Sequence, residues 1–190
     1  MKIGAPNHTG KNLLKEIEWI GKKGFDFLDL YLEEDKSIPS KIDVIKVKYL
    51  LKKYNLGITG HTEWYLPTGS PIKLIRDAAI KEIERYLQIF SKLDVKYVTI
   101  HANWCKGLFS ADEAINFQVY TLNKIVEKAK KYDIKIMLEP IDTEYDSIKN
   151  ISKILNKVNG LYLHLDIGHA NVSKDKIEKW IKKFHKKIVH

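Results

Sequence analysis

The chain alternates short apolar segments with longer stretches of helical periodicity from one end to the other, and several apolar segments close on a histidine or a carboxylate. Strand-like segments fall near residues 2–6, 25–32, 56–60, 95–101, 134–139, 161–166 and 187–190, separated by helical patterns near 11–22, 41–54, 71–92, 111–131, 146–157 and 174–185. Strand, helix, strand at this cadence means parallel pairing through right-handed crossovers. The predicted fold is therefore an α/β barrel, incomplete at about seven parallel strands, with helices around it. Ser70-Pro71 reads as a cap followed by proline in the first turn of a helix, and Ser110-Ala-Asp-Glu113 has the spacing of a capping box. No linker or low-complexity tract divides the chain, which predicts a single domain over 1–190.

Alternation within the strands separates their two faces. On the strand ending in Glu139, Lys135 and Met137 share its side while Ile136 and Leu138 face the other way. On the next strand Tyr162 and His164 share the side of Asp166, opposite Leu161, Leu163 and Leu165. The aliphatic side suits covering helices, and the mixed side suits a barrel interior that becomes polar at its mouth.

The polar strand ends carry the chemistry. His61 follows Leu56-Gly-Ile-Thr-Gly60, His101 follows Val95-Lys-Tyr-Val-Thr-Ile100, Glu139 follows Ile134-Lys-Ile-Met-Leu138, and Asp166 and His169 lie in His164-Leu-Asp-Ile-Gly-His-Ala170. Parallel strands that all deliver ligands at their C-terminal ends converge them on one spot. A strand-end histidine taken singly is an ordinary hydrogen-bonded loop residue; the joint placement of these residues on four strand ends is what predicts a metal site. Imidazole together with carboxylate suits zinc, manganese or iron(II), where an all-oxygen set would suit magnesium or calcium.

Composition narrows the class. At 190 residues and 44% hydrophobic the chain can bury a substantial core. No apolar run is long enough to span a membrane and the N-terminus lacks a signal-peptide pattern, so the expected location is the cytoplasm with no membrane partner. The single cysteine, Cys105, reads as a packing residue of a protein from a reducing compartment. A net charge of +9 invites a nucleic-acid reading, yet the 33 basic residues include only two arginines, Arg76 and Arg85, and the lysines spread over nearly every predicted helix. That pattern is a solvated lysine coat rather than a phosphate-reading surface. Abundant Lys and Glu also match the usage of heat-adapted proteins, and equally that of an AT-rich genome.

Gly60-His-Thr62, Ile100-His-Ala102, Leu138-Glu-Pro140 and above all Leu165-Asp-Ile-Gly-His-Ala170 resemble the xylose isomerase-like TIM-barrel superfamily along the whole chain. That superfamily holds sugar isomerases and epimerases together with endonuclease IV-type repair enzymes (AP endonuclease family 2). In its sugar branch, the resemblance implies a divalent zinc or manganese ion held by residues matching Glu139, Asp166 and His190, with His169 at the substrate and Glu139 moving a proton. In its endonuclease branch, His61, His101 and Glu139 match a first zinc site, Glu139 bridges to a second zinc shared with Asp166, and His169 helps hold a third.

The wording Asp-Ile-Gly-His-Ala and the arginine-poor surface tilt the reading to a sugar (or sugar phosphate) isomerase or epimerase. An abasic-site phosphodiesterase and a non-catalytic sugar- or metal-binding barrel stay as alternatives. Trp64 and Trp104, with Tyr65, are candidates for stacking on a sugar, and rim packing explains them equally well. The family's strand-eight Glu has no counterpart before His190, so the resemblance implies reduced turnover, or a barrel completed by self-association. Asn7, His8, Asp29 and Tyr31 are expected near the opening without an assigned role. His164 is expected to fill an interior layer, and His185 to sit on a helix facing water.

Overall fold

A computed structural model describes residues 2–33, 38–105, 107–141, 145–172 and 175–190. Among these residues six strands form one sheet in the order β1 (Gly4–Pro6), β2 (Phe27–Tyr31), β3 (Gly57–His61), β4 (Tyr97–His101), β5 (Lys135–Glu139) and β6 (Leu161–Leu163), and every neighbouring pair is parallel. The intervening helices are α1 (Leu13–Lys22), α2 (Val44–Lys53), α3 (Lys73–Lys92), α4 (Ala111–Lys130) and α5 (Ile148–Lys157), followed after β6 by α6 (Ile167–Val172) and α7 (Ile177–Phe184). Sequential strand order with a helix in each crossover is the barrel progression that the alternation predicted.

Register separates the faces as expected. Leu30, Gly60, Val98, Ile136 and Leu161 lie in one row across the sheet and Ile100, Leu138 and Leu163 in another. These aliphatic rows are buried with the apolar faces of the helices, including Ile17, Ile20, Val47, Ile83, Phe90, Ile125, Ile154 and Trp180. Gly60 is small for a reason: a Cβ there would stand 2.7 Å from the Phe90 ring. The inward row runs Tyr31, His61, Thr99, Met137, Tyr162, and the next row pairs His101 with Glu139. Strand stagger therefore lifts His101 and Glu139 one layer above His61 while keeping all three at the same end of the barrel.

Several local expectations are corrected. The helix expected near 41–54 is α2, which starts later, at Val44: a short 3-10 turn at Pro39–Lys41 precedes it and Asp43 caps it, its side chain accepting from the Lys46 N–H. Ser70-Pro71 lies ahead of α3 rather than in its first turn; the Ser70 hydroxyl accepts from Ile72 N–H and the helix begins at Lys73. The capping box at Ser110 and Glu113 is formed, with both reciprocal bonds present.

Strand β6 ends at Leu163, three residues before Asp166, because Asp166 caps α6: its side chain accepts from His169 N–H and its carbonyl from Ala170 N–H. His169 consequently sits on a short helix and not at a strand end. The final segment lies parallel to β6, bridged at Leu163 and Ile188 and tied by backbone bonds from Leu163 N–H to Lys187, Val189 N–H to Leu163 and Leu165 N–H to His190, so the seventh strand is a short pairing rather than a full ladder. Of the predicted helix 174–185, Lys174 lies outside the described residues, and α7 begins at Ile177.

Candidate metal centre

Three of the predicted ligands meet at the strand C-termini. His61 Nε2 lies 3.1 Å from His101 Nε2 and 3.2 Å from Glu139 Oε2, and His101 Nε2 lies 3.4 Å from the same oxygen. The three side chains come from β3, β4 and β5, and all are buried. Donors held by one tetrahedral zinc ion at about 2.0–2.1 Å stand about 3.3 Å from one another, so the observed triangle has the edge length of such a site. Glu139 Oε2 is buried without a well-aligned hydrogen bond, although three imidazole nitrogens, of His61, His101 and His164, lie 3.2–3.4 Å away. A buried carboxylate oxygen with no well-aligned donor, set among imidazole nitrogens, is an arrangement a cation can satisfy. The donor set fits a divalent ion of the zinc, manganese or iron(II) class.

A second group shares the same carboxylate. Glu139, Asp166 and His169 bring ligand atoms within 4.8 Å of one another. His169 Nε2 is 3.8 Å from Glu139 Oε1, and its side chain is 44% exposed where that of Glu139 is 4% exposed. One oxygen of Glu139 thus faces the buried trio and the other faces the mouth.

Neighbours shape the site's charge. Burial by itself pushes the Glu139 carboxyl up, but the adjacent His101 and His61 imidazoles outweigh it and hold the group well below its ordinary range. Burial likewise opposes charge on His61, yet Asp29 and Glu139 overcome it and raise the imidazole to about 8. His164 goes the other way: burial, with the nearby His190 and His61, overrides the attraction of Glu139 and lowers it to about 4. Burial and then the charges of Asp29 and Glu139 push the Tyr31 phenol up, so it stays protonated.

Five sequence-predicted residues, His61, His101, Glu139, Asp166 and His169, are brought together. His190 is not among them: its ring packs edge-on against His164, with centroids 4.4 Å apart, and against Phe27 at 5.6 Å. Trp104 donates its indole N–H to Asp146 at 2.7 Å and lies beside Tyr145. Trp64 is exposed and meets Tyr65 edge-on. Cys105 is a free, half-buried thiol. His185 is exposed at the end of α7.

Three residues matter more than their sequence context indicated. Asp29 Oδ2 is 3.0 Å from His61 Nδ1, the Tyr31 ring stacks on His61 with centroids 3.8 Å apart, and His164 Nδ1 lies 3.4 Å from Glu139 Oε2 while bonded to Thr99. The period-two pattern of β2, which puts Phe27, Asp29 and Tyr31 on one face, was the available signal. The buried side chain of Asn7 bonds both backbone groups of Tyr31.

A family model described as a xylose isomerase-like TIM barrel matches residues 17–190. Two uncharacterized proteins of Methanocaldococcus jannaschii are similar in sequence. One is 25% identical, with 85% of this chain matching 72% of the relative; the other is 26% identical, with 94% matching 64%. Among solved structures, 3-keto-D-glucoside 4-epimerase from E. coli superposes with a TM-score of 0.85 at 20% identity, covering all of this chain and 77% of the enzyme. A D-tagatose 3-epimerase-like protein gives 0.87 at 24%, over 100% and 74%. AP endonuclease family 2 from Brucella melitensis gives 0.77 at 15%, over 100% and 78%. At such identities the likeness establishes the fold. No helix among the described residues is long and apolar enough to cross a membrane.

Proposed function

The chain belongs to the xylose isomerase-like TIM-barrel family, and from that premise we propose that it is a divalent-metal-dependent sugar isomerase or epimerase in which His61, His101 and Glu139 hold the ion. The observation that carries this reading is the division of labour within Glu139, whose Oε2 faces the trio while Oε1 faces His169 and the open mouth. A bound divalent ion supplies polarisation of a substrate carbonyl and of the hydroxyl beside it. Glu139, held ionised by its lowered pKa, would take the proton from the hydroxyl-bearing carbon onto Oε1 and return it to carbon as the product forms. His169 presents an imidazole to a substrate hydroxyl at the mouth, and Asp166 holds the helix turn on which it sits. His164 stays neutral near physiological pH, adding no charge beneath the site.

Elemental analysis of protein purified without chelators, with and without Glu139→Gln, tests the metal. Deuterium exchange from heavy water into a panel of ketoses and aldoses tests the chemistry. The expected result is about one ion per chain, lost in the variant, and label entering the carbon next to the carbonyl. No bound ion and no exchange would overturn the reading.

A second reading, phosphodiester hydrolysis by clustered zinc ions, is favoured by one observation: Glu139 belongs to both ligand groups and is placed to bridge two ions. Two or three zinc ions per chain, together with cleavage of a duplex carrying an abasic site, would establish it in place of the first.

A further inference from the structure

The two imidazoles of the trio are held very differently. The His61 ring is fixed at its edge and on its face by residues of β2. Asp29 Oδ2 lies 3.0 Å from its Nδ1, and the other Asp29 oxygen accepts from the Thr59 hydroxyl at 2.8 Å, so the carboxylate itself cannot swing away. Tyr31 covers the ring with planes tilted by 21°. Tyr31 is tied down in turn: its N–H donates to Asn7 Oδ1 at 2.8 Å and its carbonyl accepts from Asn7 Nδ2 at 3.3 Å. His101 Nδ1, by contrast, is buried and has no hydrogen-bond partner.

We propose that Asp29 is the positioning residue of the metal centre: by accepting the Nδ1 proton of His61 it fixes the tautomer whose Nε2 lone pair points at His101 and Glu139, making His61 the pre-formed ligand and His101 the adaptable one. This role rests on the metal reading above. A neutral imidazole carries a single ring proton, so a carboxylate that claims Nδ1–H leaves Nε2 bare for a cation and strengthens its basicity. The Tyr31 stack adds resistance to ring rotation. Among the described residues His101 has no partner at Nδ1, so only its Nε2 contacts with His61 and Glu139 hold the ring, and these are the contacts that rearrange when the cation arrives. Asp29 touches neither Glu139 nor the mouth in any hydrogen bond or ion pair among the described residues, so its influence passes through His61.

The test uses the full chain and the variants Asp29→Ala, Asp29→Asn and Thr59→Val. Binding of zinc and of cobalt(II) is measured against a chromogenic chelator at one fixed pH for all variants. Nitrogen-15 shifts of the His61 ring and the thermal midpoint are read on the metal-free proteins. Asp29→Ala is expected to weaken metal binding by roughly 10–100-fold, and the His61 shifts move from a single-tautomer pattern to an averaged one. Asp29→Asn, whose amide oxygen still accepts the Nδ1 proton, recovers part of the affinity; Thr59→Val gives a smaller loss in the same direction. Asp29→Ala binding metal within about twofold of the parent overturns the role. So does a loss of affinity that follows a loss of folding while the His61 tautomer pattern stays unchanged. A parent chain that binds no metal overturns the metal reading together with this role, whereas a metal-binding parent beside an equally competent Asp29→Ala overturns the role alone.

Discussion

The two ligand groups that share Glu139 are built on different supports. His61, His101 and Glu139 stand on the last residues of three hydrogen-bonded strands, are buried, and form a triangle with edges of 3.1–3.4 Å. Asp166 and His169 stand on a six-residue helix at the mouth, half-buried and exposed, and His169 reaches Glu139 only at 3.8 Å. A strand end inside a packed sheet has no freedom to relax, whereas a one-and-a-half-turn helix capped by a single carboxylate does. On the reading proposed above, the buried group would hold the ion and the helix-borne group would meet the substrate.

Glu139→Gln strikes both groups at once and carries the largest expected effect: metal binding is lost and turnover falls at least about a hundredfold, read by elemental analysis and substrate deuteration. Retained metal in that variant would break the assignment of Glu139 to the trio. His61→Ala should weaken metal binding more than His101→Ala, by about tenfold in a chelator competition, because only His61 is pre-oriented by a carboxylate. Equal losses would erase the asymmetry inside the buried group.

His169→Ala separates the two supports most directly. Bound metal should stay at the parent level while turnover drops, with a larger fall in kcat/KM than in metal content. Loss of the ion in this variant would mean that the helix-borne group is part of the permanent holder.

Proton competition sharpens the same contrast. Below about pH 8 His61 takes up a proton that Asp29 and Glu139 stabilise, so apparent metal affinity should fall by about tenfold per pH unit as the solution is acidified. In the metal-free protein the sign for stability is opposite at the two buried histidines. His61 is raised from an ordinary 6.5 to about 8, so its contribution is full below 6.5 and disappears as pH rises through 8. His164 is lowered from 6.5 to about 4, so its contribution is present above 6.5 and is lost as pH falls toward 4. Thermal midpoints followed across pH 4–9 with and without zinc read both limbs. The smallest effect is expected from Gly60→Ala, on the outward face of β3 beside His61: the added methyl meets the Phe90 ring and should cost about 1–3 kcal/mol in denaturant unfolding.

Much of the buried group was legible along the chain. His61, His101 and Glu139 each follow an apolar run of strand length, and parallel strands in sequential order leave such residues nowhere to go but one end of the barrel. Asp166 and His169 were legible as members of the site and misread as to their support. The segment Leu161-Tyr-Leu-His-Leu-Asp166 continues the period-two pattern past the end of β6, and a helix as short as Ile167–Val172 has too few residues to show its own period. Asp29 could be seen on the inward face of β2, but its partner lies 32 residues away on another strand, and no local pattern encodes a contact across that distance.

What the order of residues determined by itself was the alternation that makes a parallel barrel, the face each strand turns inward, and the end of the barrel at which imidazoles and carboxylates collect. These follow from periodicities of two and of 3.6 residues, which are properties of neighbouring positions. Only the tertiary structure decided that Glu139 is shared between two groups, that Asp29 and Tyr31 hold His61, and that His190 packs on His164 outside both groups. Strand stagger and the curvature of the sheet set those distances, and both emerge from the packing of the whole barrel rather than from any one segment.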